Sequence, residues 1–310
     1  MKAIQIYQFG STEELKYEDV PKPSIEKDEV LIKVYASGVN PVDWKIREGY
    51  MKEKVHYTFP LILGWDVSGI VEETGEDVHN FKKGDAVYGR PDTSRNGSYA
   101  EYIAVRATEL SLKPQSLSYT ETAGVALAGL TAWQGVIQHG ELQPGQKILI
   151  QGASGGVGSF AVQFAKWKGA YVIGTASEKN AAFLKDLGAD EVIDYHNEGF
   201  EKNLKDIDVV FDTRGGEDQK KIMNSIKQGG ILVSTVGIAD QKVLDEKGIK
   251  GKSYMAQSIP GDLTQIATLI DEGKAKPVIS KVLPLEQAAE AHKMSEEGHT
   301  RGKIVLEVRK

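Results

Sequence analysis

Hydrophobic positions change rhythm along this chain. From Lys2 to about Val105 they alternate with polar ones in short runs broken by Gly, Pro and Asn; Val30, Ile32, Val34 and Ala36, set against Glu29, Lys33 and Tyr35, are the plainest case. Alternation with period two turns one face of a strand to a core and the other to water, so this part predicts small antiparallel β-structure. Strands are expected over residues 2–7, 66–71, 85–88 and 99–105, with Gly84-Asp85 and Asn96-Gly97 as turns, and the set suggests a folded-over barrel. Near Ser118 the spacing becomes helical: Ser118-x-x-Glu121 forms a capping box, and apolar residues recur at helical intervals through Val136. From Gln146 strands over 147–151, 170–175, 191–194, 207–212 and 230–236 are interleaved with amphipathic helices, which implies an α/β parallel sheet covered on both faces. After Pro260 a helix, a strand over 276–282, a helix over 285–294 and a last strand over 303–308 are expected to rejoin the first domain. The domains expected are therefore 1–122 plus 262–310, and 123–261.

The 310 residues suffice for two domains that each bury a core. A net charge of -6 with both signs interspersed offers no basic stripe for a phosphate backbone, so nucleic acid is not an expected partner. No apolar run approaches a membrane span, and the chain opens on a strand-like segment in place of a charged-then-apolar signal, so a soluble cytoplasmic protein with no membrane partner is expected. The sequence has no cysteine, which removes disulfides, thiolate zinc sites and Cys nucleophiles together.

The most informative stretch is the strand-like Lys147–Gln151, then Gly152-Ala-Ser-Gly-Gly-Val-Gly158, then Phe160, Ala161, Phe164 and Ala165 on one helical face. Ala153, Gly155 and Gly158 occupy the three positions of a G-x-G-x-x-G fingerprint, with alanine in the first. Small residues there permit a tight turn, close approach of backbone to a pyrophosphate and close packing of helix on strand, while the helix N-terminus offers N–H donors and a positive dipole end. Ala153, Ser154, Gly155, Gly156, Val157 and Gly158 are thus cofactor-binding candidates. The same residues satisfy G-x-S-x-G, the nucleophile elbow of serine hydrolases, with Asp240 or Asp262 and His292 or His299 following in the required order. Against that reading stand the missing HGGG-type oxyanion segment and the third glycine, which has no role in an elbow. At the end of the next strand, where NAD-binding folds place a carboxylate for the ribose, this chain has Ala176 and Ser177, with Lys179 and Asn180 after them. A hydroxyl, an ammonium and an amide can bind a 2′-phosphate that a carboxylate would repel, so Ser177, Lys179 and Asn180 favour NADPH. Glu178 is read as a first-turn residue favourable to the helix dipole.

Further motifs run along the whole chain: Gly38-Val-Asn-Pro-Val-Asp-Trp-Lys45, Leu63-Gly-Trp-Asp-Val-Ser-Gly69, Phe81-Lys-Lys-Gly-Asp-Ala-Val87, Gly97-Ser-Tyr-Ala-Glu-Tyr102, Ala128-Gly-Leu-Thr-Ala132, Leu187-Gly-Ala-Asp190 and Arg301-Gly-Lys303. With the glycine turn they resemble the medium-chain dehydrogenase/reductase superfamily, in its quinone oxidoreductase and zeta-crystallin-like branch, and Asn-Pro-Val-Asp-Trp-Lys is nearest to alkenal reductases. The resemblance implies a GroES-like β-barrel catalytic domain built from both chain ends, a Rossmann doubly wound parallel-sheet domain between them, and catalysis in the intervening cleft.

Zinc-dependent members place a Cys ligand where this sequence has Asn40 and a His ligand where it has Trp65, so zinc-free chemistry with no metal ligands is implied. The reaction implied is hydride donation from NADPH to a small quinone or α,β-unsaturated carbonyl (enone or alkenal), whose charge delocalises onto oxygen. Carried over by motif, Asn40 would lie beside the nicotinamide or acceptor and Lys45 would donate to the acceptor oxygen or a cofactor phosphate; a turn residue and a solvated charge are the bland readings. Asp66, beside the missing metal, is read as a supporting or capping group ahead of an acid catalyst. Thr131 resembles the residue facing the nicotinamide and Tyr195 one edging the 2′-phosphate, while Val236 and Gly237, at the end of a strand, are expected to form the backbone wall near the nicotinamide amide. The branch also implies a homodimer. A non-catalytic NADPH-binding sensor shares all of these features, since a dinucleotide fold binds cofactor whether or not chemistry follows.

Overall fold

The computed structural model describes residues 1–309, which fall into two compact units. The first comprises Met1–Leu127, Ser258–Glu272 and Pro277–Lys310, and the second Ala128–Gln257 with Gly273–Lys276. The first crossing falls inside a helix, Ala126–Trp133, and not ahead of it at 122/123, because helical spacing runs straight through that point.

In chain order the first unit opens with β1 (Lys2–Ile6), β2 (Lys16–Asp19), β3 (Glu29–Val39), α1 (Pro41–Arg47), β4 (Leu61–Ile62), β5 (Val67–Thr74), β6 (Ala86–Gly89), β7 (Tyr102–Arg106), β8 (Leu110–Leu112) and α2 (Tyr119–Ala123). After α3 (Ala126–Trp133) and a π-helical turn over Gln134–His139 come β9 (Lys147–Gln151), α4 (Gly156–Trp167), β10 (Tyr171–Ala176), α5 (Ala181–Asp186), β11 (Glu191–Asp194), β12 (Ile207–Asp212), α6 (Gly216–Ile222), β13 (Ile226–Ser234), α7 (Gln241–Glu246) and β14 (Lys250–Ser253). The tail supplies α8 (Pro260–Asp271), β15 (Ile279–Pro284), α9 (Ala288–Glu297) and β16 (Lys303–Glu307).

Unit one holds a small antiparallel sheet, β2-β1-β4, and a seven-stranded sheet in the order β15-β16-β3-β5-β6-β8, with β7 also paired to β3. β3 is the spine: it pairs antiparallel with β5, β7 and β16, and its Val30, Ile32 and Val34 enter a core with Val67, Val71, Val87, Ile103 and Val105. The β16 pairing carries the C-terminal tail back to this unit, as the sequence leads one to expect. The strand expected over 99–105 begins only at Tyr102; Tyr99 and Ala100 before it meet β1, through the Ala3–Ala100 bridge and the bond from Ile4 N–H to Tyr99 O.

Unit two is a six-stranded sheet, β11-β10-β9-β12-β13-β14, parallel throughout. This is the doubly wound order, which reverses direction between β9 and β12. The interior residues of the apolar runs Lys147–Gln151 and Ile207–Asp212 are buried, as near-continuous apolar strands at the centre of a parallel sheet require. β13 ends at Ser234, short of Val236, and β14 has no counterpart in the expected strands: Lys250-Gly-Lys-Ser253 carries no hydrophobic alternation, since it is an exposed edge whose pairing with β13 is made by backbone alone.

Candidate functional site

Within unit two the predicted cofactor residues converge on the strand C-termini. β9 ends at Gln151, the turn Gly152–Gly155 follows, and α4 begins at Gly156 with Gly155 at its N-cap and no side-chain cap. The first-turn N–H groups of a helix have no partners within it, so an uncapped N-terminus at a topological switch is suited to an anion. The two glycines differ in what they do. A Cβ on Gly158 would overlap the carbonyl oxygen of Gly152, so this residue lets α4 lie against the turn. A Cβ on Gly155 would meet nothing nearer than the Gly152 oxygen at 3.4 Å, which leaves that side of the turn clear for a ligand. Alanine replaces the first glycine of the fingerprint because Ala153, fully buried, packs against Gly174 of β10; a Cβ there would stand 2.9 Å from that of Ala153. The Oε1 of Gln151, 2 % exposed beside the turn, has no hydrogen-bond partner.

Asn180 joins the turn to the end of β10. Its amide donates to Ser154 Oγ at 3.3 Å and Ser177 Oγ at 3.2 Å, so three predicted residues from two segments, the glycine turn and the turn after β10, form one hydrogen-bonded group. Lys179 and Glu178 are exposed beside it, and Gly156 and Val157 form the first turn of α4. Tyr195 packs on the sheet core and stacks 4.2 Å from His196. The sequence reading missed Asp194: it accepts the N–H of Glu178 at 3.0 Å, the N–H of His196 at 2.9 Å and His196 Nδ1 at 2.8 Å, and these bonds, led by the His196 N–H, hold its carboxyl below the usual range. A carboxylate therefore does stand near the ribose-side residues, but on β11 and committed to other donors.

Thr131, on α3, is buried and its carbonyl accepts the Tyr254 hydroxyl, a phenol that burial keeps protonated. Val236 and Gly237 lie in the loop beyond β13, and the Val236 side chain is exposed, so any wall they form is made of backbone. Two further buried residues that sequence reasoning missed order this loop. Asp212, at the end of β12, accepts the N–H groups of Arg214 (2.9 Å) and Gly215 (3.0 Å), Gln219 Nε2 (2.7 Å) and Ser234 Oγ (2.9 Å). Gln219 in turn donates to Gly237 O at 2.9 Å and accepts the Ala239 N–H at 2.6 Å. An Asp ending a buried strand was the available signal; the role of Gln219 on an amphipathic helix had none.

For the elbow reading of Ser154, neither the residue bonded to it nor His292, one of the two histidines in that reading, is suited as a base. The partner of its hydroxyl is an amide donor, which cannot take a proton, and both ring nitrogens of His292 are bonded within unit one, to Arg47 Nη1 at 3.0 Å and to the Tyr99 hydroxyl at 3.3 Å.

Unit one gathers Asn40 and Asp66 with a residue that sequence reasoning passed over as part of a motif, Lys303. Strand pairing does this: Ile304 at the start of β16 faces Val39 at the end of β3, and Ser37 of β3 faces Val67 at the start of β5, so Lys303, Asn40 and Asp66 are the residues at three adjacent strand ends. Asn40 donates from Nδ2 to Asp66 Oδ2 at 2.9 Å, Lys303 Nζ donates to the same oxygen at 3.1 Å, to Val39 O at 3.0 Å and to Asn40 Oδ1, and Asp66 Oδ1 accepts the Leu127 N–H at 2.6 Å. Asp43, one turn into α1, accepts the Asn40 N–H and the Tyr99 hydroxyl, each at 2.8 Å, while its Oδ1 has no partner. Burial pushes the Asp43 carboxyl up to about 7 against these donors, and burial beside Arg47 pushes His292 down to about 3. Lys45 takes no part: it lies 5.6 Å from the Trp44 ring.

A metal does not fit these residues. The Asn40 Oδ1 is committed to Lys303 and its Nδ2 offers donors and no lone pair, the Trp65 indole N–H donates to Arg95 O at 3.3 Å and likewise offers no lone pair, and an ammonium beside Asp66 repels a cation. Among the described residues no three His, Cys, Asp or Glu side chains are grouped as a metal site.

The sequence matches two families, the alcohol dehydrogenase GroES-like domain over residues 26–115 and zinc-binding dehydrogenase over 187–306. It is 33% identical over 353 aligned positions to the NAD(P)H oxidoreductase RTN4IP1, mitochondrial, of Danio rerio, covering 99% of this chain and 91% of that protein. It is 35% identical to the NADPH-dependent alkenal/one oxidoreductase, chloroplastic, of Arabidopsis thaliana, covering 99% of this chain and 79% of the relative. The solved quinone oxidoreductase of Coxiella burnetii superposes with a TM-score of 0.92 at 37% identity, covering 100% of this chain and 99% of that one. With its GroES-like unit, its doubly wound unit and these relatives, the chain belongs to the medium-chain dehydrogenase/reductase superfamily, in the quinone oxidoreductase branch, and is an oxidoreductase that works with a nicotinamide cofactor.

Proposed function

We propose that the protein transfers a hydride from NADPH to a small quinone or α,β-unsaturated carbonyl without a metal. The observation that carries this reading is the donor set around Asn40: an amide, an ammonium and a carboxylate bonded to one another cannot act as the Lewis acid that alcohol oxidation requires, but can stabilise negative charge developing on an acceptor oxygen. When bound, the reduced nicotinamide supplies the hydride. The chain's own part is to hold a pyrophosphate on the first turn of α4, through Gly155, Gly156 and Val157, and to hold the ring against the backbone near Thr131 and Gly237. The relatives named for alkenal/one and quinone reduction support both acceptor classes.

NADPH is favoured over NADH by Ser177, Lys179 and Asn180 at the end of β10, where the strand-end residue is Ala176 and the nearby Asp194 carboxylate is taken up by the N–H of Glu178 and by His196; Tyr195 is read with them from the sequence. The test is oxidation of NADPH by the purified protein with short enals, enones and ortho- and para-quinones, with NADH and a chelator as controls. Turnover with NADPH in excess of NADH, indifferent to chelator, is expected. Binding of NADPH with no turnover of any acceptor favours the sensor reading, and absence of binding overturns the proposal. A homodimer in the cytoplasm completes the reading; the edge strand β14 offers unpaired backbone for a second copy, and light scattering should return twice the 33.9 kDa chain mass.

A further inference from the structure

Asn40 is held by opposite charges on its two ends. Asp66, fully buried, receives Nδ2, and Lys303, 5 % exposed, donates to Oδ1. Turned over, the amide would set its NH₂ against an ammonium and its carbonyl against a carboxylate, so the orientation is fixed by charge in a setting where water cannot screen it. Lys303 has three N–H groups and three acceptors, Val39 O, Asn40 Oδ1 and Asp66 Oδ2, so it has none left for a substrate. Asn40 has two N–H groups on Nδ2 and a single bond from them, to Asp66.

We infer that Lys303 is a positioning residue: with Asp66 it locks Asn40 so that the remaining Nδ2–H is presented as a donor to the acceptor's oxygen, and its charge, one hydrogen bond behind, polarises that donor. The inference rests on the hydride-transfer reading above. In an enone the incoming hydride forms a C–H bond at the β-carbon, the C=C pair moves toward the carbonyl and the oxygen becomes an enolate; a proton from water later completes the α-carbon. In a quinone the charge arrives on a phenolate oxygen. In both, the bond from Asn40 strengthens as charge develops, which is what accelerates the step. The ammonium acts through the amide and does not touch the substrate. The sequence carries Lys303 only as the last residue of the Arg301-Gly-Lys303 motif, with no local sign of its partners.

The test is Lys303→Met and Lys303→Arg, with kcat and KM measured over para-quinones of graded electron demand and over a short enone, and NADPH affinity measured separately by fluorescence quenching. Lys303→Met is expected to lower kcat by about tenfold or more on unsubstituted quinones and on the enone. It should lose progressively less on quinones bearing electron-withdrawing groups, whose phenolates need less help. NADPH affinity should stay within about threefold, and Lys303→Arg should recover part of the rate. If Lys303→Met does not fold, because it leaves Asp66 buried and unpaired, the pair Lys303→Met with Asp66→Asn removes both charges and is put through the same series. An equal loss on every acceptor, or no loss, overturns the inference. Failure of the unsubstituted protein to turn over any acceptor instead overturns the hydride-transfer reading on which it depends.

Discussion

Gly155 and Gly158 sit three positions apart in one fingerprint but answer different demands, and single substitutions separate them. Gly158→Ala drives a methyl into the Gly152 carbonyl and should cost about 1–3 kcal/mol of stability by pushing α4 off the turn, seen as a lowered melting temperature. Gly155→Ala has room on the protein side and an extended backbone that any residue adopts, so the protein should melt normally yet bind NADPH at least about tenfold more weakly, by quenching titration. Normal binding by Gly155→Ala would remove the pyrophosphate from this turn. Ser177→Asp places a carboxylate where a 2′-phosphate is expected and should shift the NADPH to NADH preference by roughly tenfold toward NADH, read from the ratio of kcat/KM values. These residues could be singled out because the pattern of a phosphate turn is local: small residues at fixed spacing between a buried strand and a helix. Lys45 was singled out from the same kind of local motif and proved to lie beside Trp44, outside the polar cluster, since position on a short helix does not say which way a side chain is drawn.

At the scale of elements, the loops after β12 and β13 owe their shape to one buried pair, Asp212 and Gln219. The Gln219 side chain bonds Gly237 O and Ala239 N, so it fixes the segment expected to face the nicotinamide. Gln219→Met keeps the volume and removes four side-chain hydrogen bonds, to Asp212, Ser234, Gly237 O and Ala239 N; an unfolding free energy lower by about 1–3 kcal/mol is expected, with a raised KM for NADPH, by urea titration and steady-state rates. An unchanged KM would detach this loop from the cofactor. Strands with a hydrophobic run or alternation, such as β3, β9 and β12, were readable from the sequence alone. β14 was not, because an edge strand is made by its neighbour's backbone and its Lys-Gly-Lys-Ser sequence carries no period.

At the scale of the molecule, buried titratable groups set how stability follows pH. Asp43 has its carboxyl raised to about 7 in the folded chain from 3.8, so between these values the folded state holds the proton and the unfolded state does not; its contribution falls as pH rises from about 4 to 7. His292, lowered to about 3 from 6.5, has the opposite sign: its neutral form is favoured by the fold, and stability is lost as pH falls from 6.5 toward 3. The two oppose one another between about 4 and 6.5. Asp43→Asn should therefore leave a protein whose melting temperature rises with pH across that interval, where the unsubstituted chain is comparatively flat, with a slope no steeper than about 1.4 kcal/mol per pH unit. A flat profile in Asp43→Asn would mean that His292 does not titrate as its burial beside Arg47 requires.

The sequence by itself determined the fold class, the return of the tail to the first unit and the strand–glycine turn–helix of β9 and α4, because each is written in periodicity or in residues close together along the chain. It also showed that the chain has no cysteine and carries Asn40 and Trp65, neither of which is a good zinc ligand. Only the tertiary structure decided what surrounds Asn40. Lys303 and Asn40 are 263 positions apart, and Lys303 and Asp66 are 237, and no local pattern joins them. Antiparallel pairing of β16 with β3 and of β3 with β5 brings their ends side by side, and burial there makes the ion pair and the amide satisfy one another where water cannot reach.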